Sequence, residues 1–243
     1  MIYLPILTYH RLLAQESTKS VDPKRISVSQ EQFRSHLKWL KRLGYHTLSL
    51  PDYIRTLHQG GKIPWRSFAI TFDDGYEEVL TLGLPVLAEA GFTATVFAVA
   101  GELGGTNAWD GGGAKLLTAE ALRQLDKSGI TIGAHTCRHA HLTRVSPAVA
   151  KREISDSKEI LERSLGKGIA LFAYPYGETN DSVDHYAREA GFEAAFATDN
   201  ASKDHTSNLY RLRRVVVFPR NTVREILWKV QPWYPAYQDW KRR

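Results

Sequence analysis

The chain has one cysteine and one methionine in 243 residues. A lone Cys137 excludes an intrachain disulfide, and it leaves the redox compartment open. No apolar run approaches the ~20 residues that a membrane-spanning helix requires. There is no internal repeat, no low-complexity tract and no long linker. The segment from Met1 to Tyr9 is apolar, but it lacks the basic start and the small-residue cleavage site of a signal peptide. As it stands, the sequence predicts a soluble, cytoplasmic protein.

What is present is ordinary for a folded chain: 43% hydrophobic and 24% charged residues, with enough length to bury a core without disulfides or a structural metal. The net charge of +6 includes clusters at Arg211, Arg213, Arg214 and at Lys241, Arg242, Arg243. Such a surface favours anionic partners, an acidic glycan or a cell-envelope surface among them. The remaining basic residues are scattered and no nucleic-acid motif occurs, so specific nucleic-acid binding is not expected.

Short β-branched or aromatic runs alternate with amphipathic segments. Strands are predicted over Ile2 to Thr8, Ser67 to Phe72, Thr93 to Val99, Ile130 to Ala134, Ile169 to Ala173, Ala194 to Ala197 and Val215 to Phe218. Helices are predicted over Ser29 to Leu43, Tyr76 to Ala90, Thr118 to Ser128 and Ser146 to Leu165, the last opened by Pro147 in its first turn. Repeated strand–helix units imply an α/β fold with a parallel sheet of about seven strands, closed or nearly closed into a barrel. Ligand sites of such folds lie beyond the carboxyl ends of the strands. Asp73 and Asp74, His135 and His139, and Tyr176 each follow a predicted strand, so one rim collects them.

Adjacent carboxylates repel, and a cation offsets that repulsion directly; a helix cap explains one aspartate but not two. The spacing of His135 and His139 suits one turn of helix, with both rings on the same side and able to share a metal. One Asp and two His leave coordination positions open for water and substrate, as in a catalytic site. A bound ion lowers the pKa of water, and a second carboxylate can accept the proton. The expected chemistry is metal-assisted hydrolysis of an amide or ester.

Three motifs then carry a family resemblance: Thr71-Phe72-Asp73-Asp74-Gly75, His135-Thr136-Cys137-Arg138-His139-Ala140-His141-Leu142, and Ala173-Tyr174-Pro175-Tyr176-Gly177. In this order they resemble the motifs of the NodB-homology polysaccharide deacetylases, carbohydrate esterase family 4. Leu7 to Arg11, Phe33 to Tyr45 and Gly104 to Asp110 extend the resemblance over nearly the whole chain, as one catalytic domain spanning 1–243. The resemblance implies a distorted (β/α) barrel with about seven parallel strands, with Asp73 as general base and Asp74, His135 and His139 as ligands of zinc, or of cobalt or nickel. It also implies that the backbone N–H of Tyr176 holds the oxyanion, with Tyr174, Pro175, Gly177 and Trp109 against the substrate. The implied activity removes acetyl groups from an acetylated carbohydrate, foremost N-acetylhexosamine units in a glycan, glycolipid or precursor. An O-acetyl esterase, or a non-catalytic carbohydrate-binding protein that retains the metal site, are the alternatives.

Two family features are missing. Phe172, Ala173 and Tyr174 precede Pro175 where the family has an arginine that orients the catalytic aspartate; Arg138 and Arg213 are candidates to replace it. The late Leu-x-His motif that supplies the general acid is also absent. His10, after the first strand, is the preferred substitute, with His205 second. Cys137 reads as a packing residue. The tail bearing Trp228, Trp233, Tyr234, Tyr237 and Trp240 is expected to dock on the barrel rather than form a glycan or membrane platform.

Overall fold

The computed structural model describes residues 3–14, 26–198, 201 and 205–241; Met1, Ile2, Arg242 and Arg243 lie outside them. Eight strands form a continuous parallel path: β1 (Ile6–Tyr9), β2 (Ser67–Phe72), β3 (Thr95–Ala98), β4 (Thr131–Ala134), β5 (Leu171–Ala173), β6 (Ala194–Ala197), β7 (Leu212–Arg213) and β8 (Val215–Val216). β7 pairs with β6, through Arg213 and Ala197, whereas β8 pairs with β1, through Val216 and Thr8. A single residue, Arg214, separates them, so one short run bridges both open edges and brings the barrel nearly to closure. Counted as one strand, that run gives the seven-stranded wall expected from the sequence, although the first half of it, Leu212–Arg213, lies before the predicted Val215 start. His46–Thr47 pairs with the start of β2, off the main path.

Hydrophobic side chains fill two layers. Inside the barrel, Ile6, Ala69, Phe97, Leu171, Phe196 and Leu212 meet Leu50, Tyr53 and Ile54 of α2 (Leu50–His58), which plugs the amino-terminal end. Outside, the strands pack against α1 (Gln30–Arg42), α3 (Leu84–Ala90), α4 (Ala119–Lys127), α5 (Pro147–Leu165) and α6 (Asp181–Glu189). Ser29, Thr118, Ser146 and Asn180 cap α1, α4, α5 and α6 with side-chain oxygens that accept orphan backbone N–H groups. α7 (Val223–Lys229) and α8 (Tyr234–Lys241) follow β8, and among the described residues no helix is long and apolar enough to cross a membrane.

One predicted helix is different. Tyr76 to Ala90 was expected to be a single helix, but Tyr76 instead bridges to Leu116, a π-helical turn covers Val79–Gly83, and α3 begins only at Leu84. Pro85 has no N–H to give to the preceding turn, and the Leu84 N–H reaches five residues back to the Val79 carbonyl.

α1 also anchors the chain after β8. His36 is buried; its Nε2–H donates to the Asn221 carbonyl and its Nδ1 accepts from the Tyr9 hydroxyl, at 3.0 and 3.2 Å. Burial pushes its pKa from 6.5 down to about 4, against the opposing pull of the Asn221 carbonyl. Between those values the unfolded chain binds a proton that the folded chain refuses, so stability falls as pH drops from about 6.5 to about 4. The loss is on the order of 3 kcal/mol. Urea midpoints across this range should slope less in His36→Gln than in the wild type; equal slopes would contradict this assignment.

Candidate active site

The carboxyl ends of the strands surround a cleft of about 220 Å³. His10 enters it after β1, Asp73 and Asp74 after β2, His135 and His139 after β4, Tyr176 and Gly177 after β5, and Thr198 after β6. Five non-glycine residues among those described have positive φ, and four of them, Asp74, Thr136, His139 and Tyr176, belong to these loops. Backbone strain of this kind persists where surrounding structure enforces it, and it concentrates at functional sites. Gly75 is locked similarly: with φ of 75°, it lies so close to β3 that a Cβ would come within 3.2 Å of Ala98 Cα.

The two histidines do not share a helical turn as expected. His135 directly follows β4, Thr136 and His139 turn through left-handed conformations, and Glu153 of α5 accepts from the backbone N–H groups of both Cys137 and Arg138. Those N–H groups are thereby withdrawn from any helix. The loop nevertheless brings the rings together, with centroids 5.0 Å apart, both facing Asp74. His135 Nε2 lies 3.4 Å and His139 Nε2 3.2 Å from Asp74 Oδ1.

This geometry fits a cation. His135 Nδ1 donates to the Ala173 carbonyl at 2.7 Å, which fixes the tautomer and turns the lone pair of Nε2 toward a carboxylate oxygen. Asp74 Oδ1 is buried without a hydrogen bond, and the three residues offer ligand atoms within 4.8 Å of one another. Burial alone would raise the Asp74 carboxyl, but the facing imidazoles outweigh it and hold the group well below the usual carboxylate range. Burial lowers His139, with Asp74 opposing, so the ring favours the neutral, ligating form.

Asp73 faces a different partner. Arg214, fully buried at the barrel seam, clamps it with Nη1 to Oδ1 at 2.6 Å and Nη2 to Oδ2 at 2.7 Å. Nη1 also reaches Thr71 Oγ1, and the guanidinium lies 5.2 Å from the Phe97 ring centroid. Burial would raise the Asp73 carboxyl; Arg214 first, then His135, reverses that and keeps it ionised. A bidentate arginine holds a carboxylate in one orientation. The arginine expected from Arg138 or Arg213 is therefore neither: Arg138 is exposed, and Arg213 points outward to Asp239 at 2.9 Å. Side chains alternate along a strand, so the neighbour of outward Arg213 points in.

The sequence pattern of the polysaccharide deacetylases matches residues 60–195, more than half of the chain. The chain belongs to this family. It is 29% identical over 216 residues to YxkH of Bacillus subtilis (strain 168), covering 89% of this chain and 72% of that protein. A poly-β-1,6-N-acetyl-D-glucosamine N-deacetylase of Staphylococcus aureus (strain MSSA476) is 28% identical over 209 residues, covering 82% and 71%. The structure of the Streptococcus pyogenes deacetylase PplD in complex with acetate superposes with a TM-score of 0.83 at 25% identity, over 95% of this chain and 99% of that one. The protein is a carbohydrate deacetylase built on a parallel, nearly closed α/β barrel.

Within the deacetylase, the other residues singled out from sequence separate clearly. Gly177 lines the cleft with φ of 68°, and a Cβ there would lie 1.7 Å from Thr198 Oγ1, so only glycine fits. Pro175 is buried in the same turn. The Tyr176 ring stacks on His141, at 3.5 Å, and meets His139 edge-on. Trp109 stacks on His139 at 4.8 Å, with Asp110 beside it in the cleft. Tyr174, expected against the substrate, is instead fully buried, its hydroxyl bonded to Asp184 and to the Tyr210 carbonyl. Leu171 and Ala173 face the barrel interior, so Phe172 and Tyr174 alternate to the outer layer.

His10 lines the cleft and its buried Nδ1 has no hydrogen-bond partner. His205 is excluded from the rim: it sits at the amino-terminal end, against Tyr3, with Nδ1 2.6 Å from the Tyr53 hydroxyl and Nε2 accepting from the Arg213 N–H. Cys137 is partly buried in the loop between His135 and His139, where burial first and then Glu153 push its thiol up to about 12, and it is not part of the Asp74–His135–His139 cluster.

Proposed function

We propose that this deacetylase removes the N-acetyl group from N-acetylhexosamine units of a glycan, using a divalent ion held by Asp74, His135 and His139. The supporting observation is a single cleft in which an arginine-clamped carboxylate, Asp73, and an imidazole, His10, accompany a three-residue metal set. An Asp and two neutral imidazoles suit zinc, with cobalt or nickel as substitutes. A bound ion supplies Lewis-acid polarisation of the acetyl carbonyl and lowers the pKa of water.

The chain's own residues do the rest. Asp73 accepts a proton from the attacking water, and Arg214 keeps both carboxylate oxygens in register for that transfer. The Tyr176 backbone N–H donates to the developing oxyanion, its position set by the left-handed turn and by Gly177 against Thr198. His10 gives a proton to the leaving nitrogen, so that the amine departs neutral. Gly177 lines the cleft against the sugar, Trp109 extends that wall from its stack on His139, and buried Pro175 shapes the turn behind it. The name of the staphylococcal relative and the acetate in the streptococcal structure support this reaction class.

Acetate release from N- and O-acetylated sugars, with protein stripped of metal and reloaded with zinc, cobalt or nickel, tests the reading. Metal-dependent release from N-acetyl substrates is expected. Release from O-acetyl substrates alone would make the enzyme an esterase, and no release despite bound metal would refute the proposal.

A further inference from the structure

The catalytic cleft does not end at Phe218. Thr198, Val216 and Phe218 line both it and a second groove, of about 520 Å³, that runs from β8 to α7 and α8. The volume lies in the range of ligand pockets. Trp228, Tyr234 and Tyr237 supply aromatic surface to this groove, while Arg220, Lys229 and Lys241 supply positive charge. Its one acidic side chain, Glu225, is occupied in a capping box with Thr222. Lys229 is committed to the Val216 carbonyl, whereas Arg220 and Lys241 are exposed and form no ion pair among the described residues; the Arg220 guanidinium lies 4.9 Å from the Phe218 ring centroid.

The surface beside the groove is unusual for a chain end. Trp228, Trp233 and Trp240 are 42%, 50% and 72% exposed, and their rings continue through Tyr234 and Tyr237 at centroid spacings of 6.1–6.5 Å. α8 is nonetheless fixed to the barrel, because Arg213 of β7 holds Asp239 and Gln231 reaches the Tyr45 hydroxyl. Docking of the tail and exposure of its aromatic side are therefore both realised. Exposed aromatic runs mark binding surfaces, and pyranose rings present C–H faces that stack on them.

We infer that this groove binds the sugar units flanking the acetylated one, in a glycan that carries acidic substituents. The inference rests on the deacetylase reading for the position of the acetylated unit. Continuity with the catalytic cleft selects a glycan chain over an unrelated partner, and the exposed cations of Arg220 and Lys241 select carboxylate or phosphate groups on it.

The test compares kcat/KM of the metal-loaded enzyme on an acetylated monosaccharide, a neutral acetylated oligosaccharide, and oligosaccharides of the same length bearing carboxylate or phosphate. Binding of the same oligosaccharides to Asp73→Asn is measured in parallel by calorimetry. The acidic oligosaccharides should be preferred, with the advantage shrinking as salt rises. Trp228→Ala and Tyr237→Ala should each lower the oligosaccharide-to-monosaccharide ratio about tenfold, through KM. Arg220→Gln should narrow the acidic-to-neutral ratio, whereas Trp65→Ala, an exposed tryptophan remote from the groove, should change neither. Equal kcat/KM for all lengths, or ratios unmoved by the groove variants, would overturn the inference. So would loss of anionic-vesicle binding in Trp228→Ala with oligosaccharide kinetics intact. Absence of acetate release would count against the catalytic reading alone, because calorimetry still reports on the groove.

Discussion

Asp73→Asn should lower turnover by about 10²–10⁴-fold while metal content stays at the wild-type level. The amide keeps the shape of the carboxylate and leaves Asp74, His135 and His139 in place, but it cannot accept the proton of the attacking water. Stability should drop as well, because Arg214 is fully buried and loses the anion that both of its terminal nitrogens bind. Breaking a buried pair on one side typically costs about 3–5 kcal/mol. Adding Arg214→Met should restore much of the stability and none of the activity, a separation visible in urea midpoints beside acetate assays. Asp73→Asn with near wild-type turnover would remove Asp73 as the base. The proposed acid has its own signature: His10→Gln should cut kcat while metal content stays at the wild-type level.

His135→Ala, and equally Asp74→Ala, should abolish stoichiometric zinc binding and take acetate release to background. Three residues form the set, so losing one leaves two. Elemental analysis gives the metal content directly. A second readout is independent of activity: zinc should raise the unfolding temperature of the wild type, because it binds the folded state preferentially, and should leave the variants unmoved. A variant that retained stoichiometric zinc and full turnover would rule out this ligand set.

Much of this site is legible along the chain because strand ends are legible. β-branched and aromatic runs announce β2, β4 and β5, and in a parallel barrel their carboxyl ends must share a rim. Asp73, Asp74, His135, His139 and Tyr176 could therefore be grouped without coordinates. The route between His135 and His139 could not be read, because a spacing of four suits a helix as well as a loop. Glu153, far along α5, decided it by taking two backbone N–H groups. Tyr174 was misplaced for a related reason: motif membership gives no side-chain direction, and its hydroxyl follows Asp184 and Tyr210 into the core.

Arg214 shows where sequence reading stops. Arg211, Arg213 and Arg214 stand together as an undifferentiated basic cluster. In the fold, Arg211 pairs with Asp181 and Asp184, Arg213 with Asp239, and Arg214 alone turns inward to Asp73. A one-residue slip at the seam between β7 and β8 would exchange those roles, and only pairing with β6 on one side and β1 on the other sets the register. From sequence alone, then, come the barrel, its rim and the candidate metal-binding and proton-transfer residues, since these depend on local pattern. Which arginine clamps Asp73, which histidine reaches the cleft and where the cleft continues depend on contacts between distant segments, and the pairing of those segments around the barrel created them.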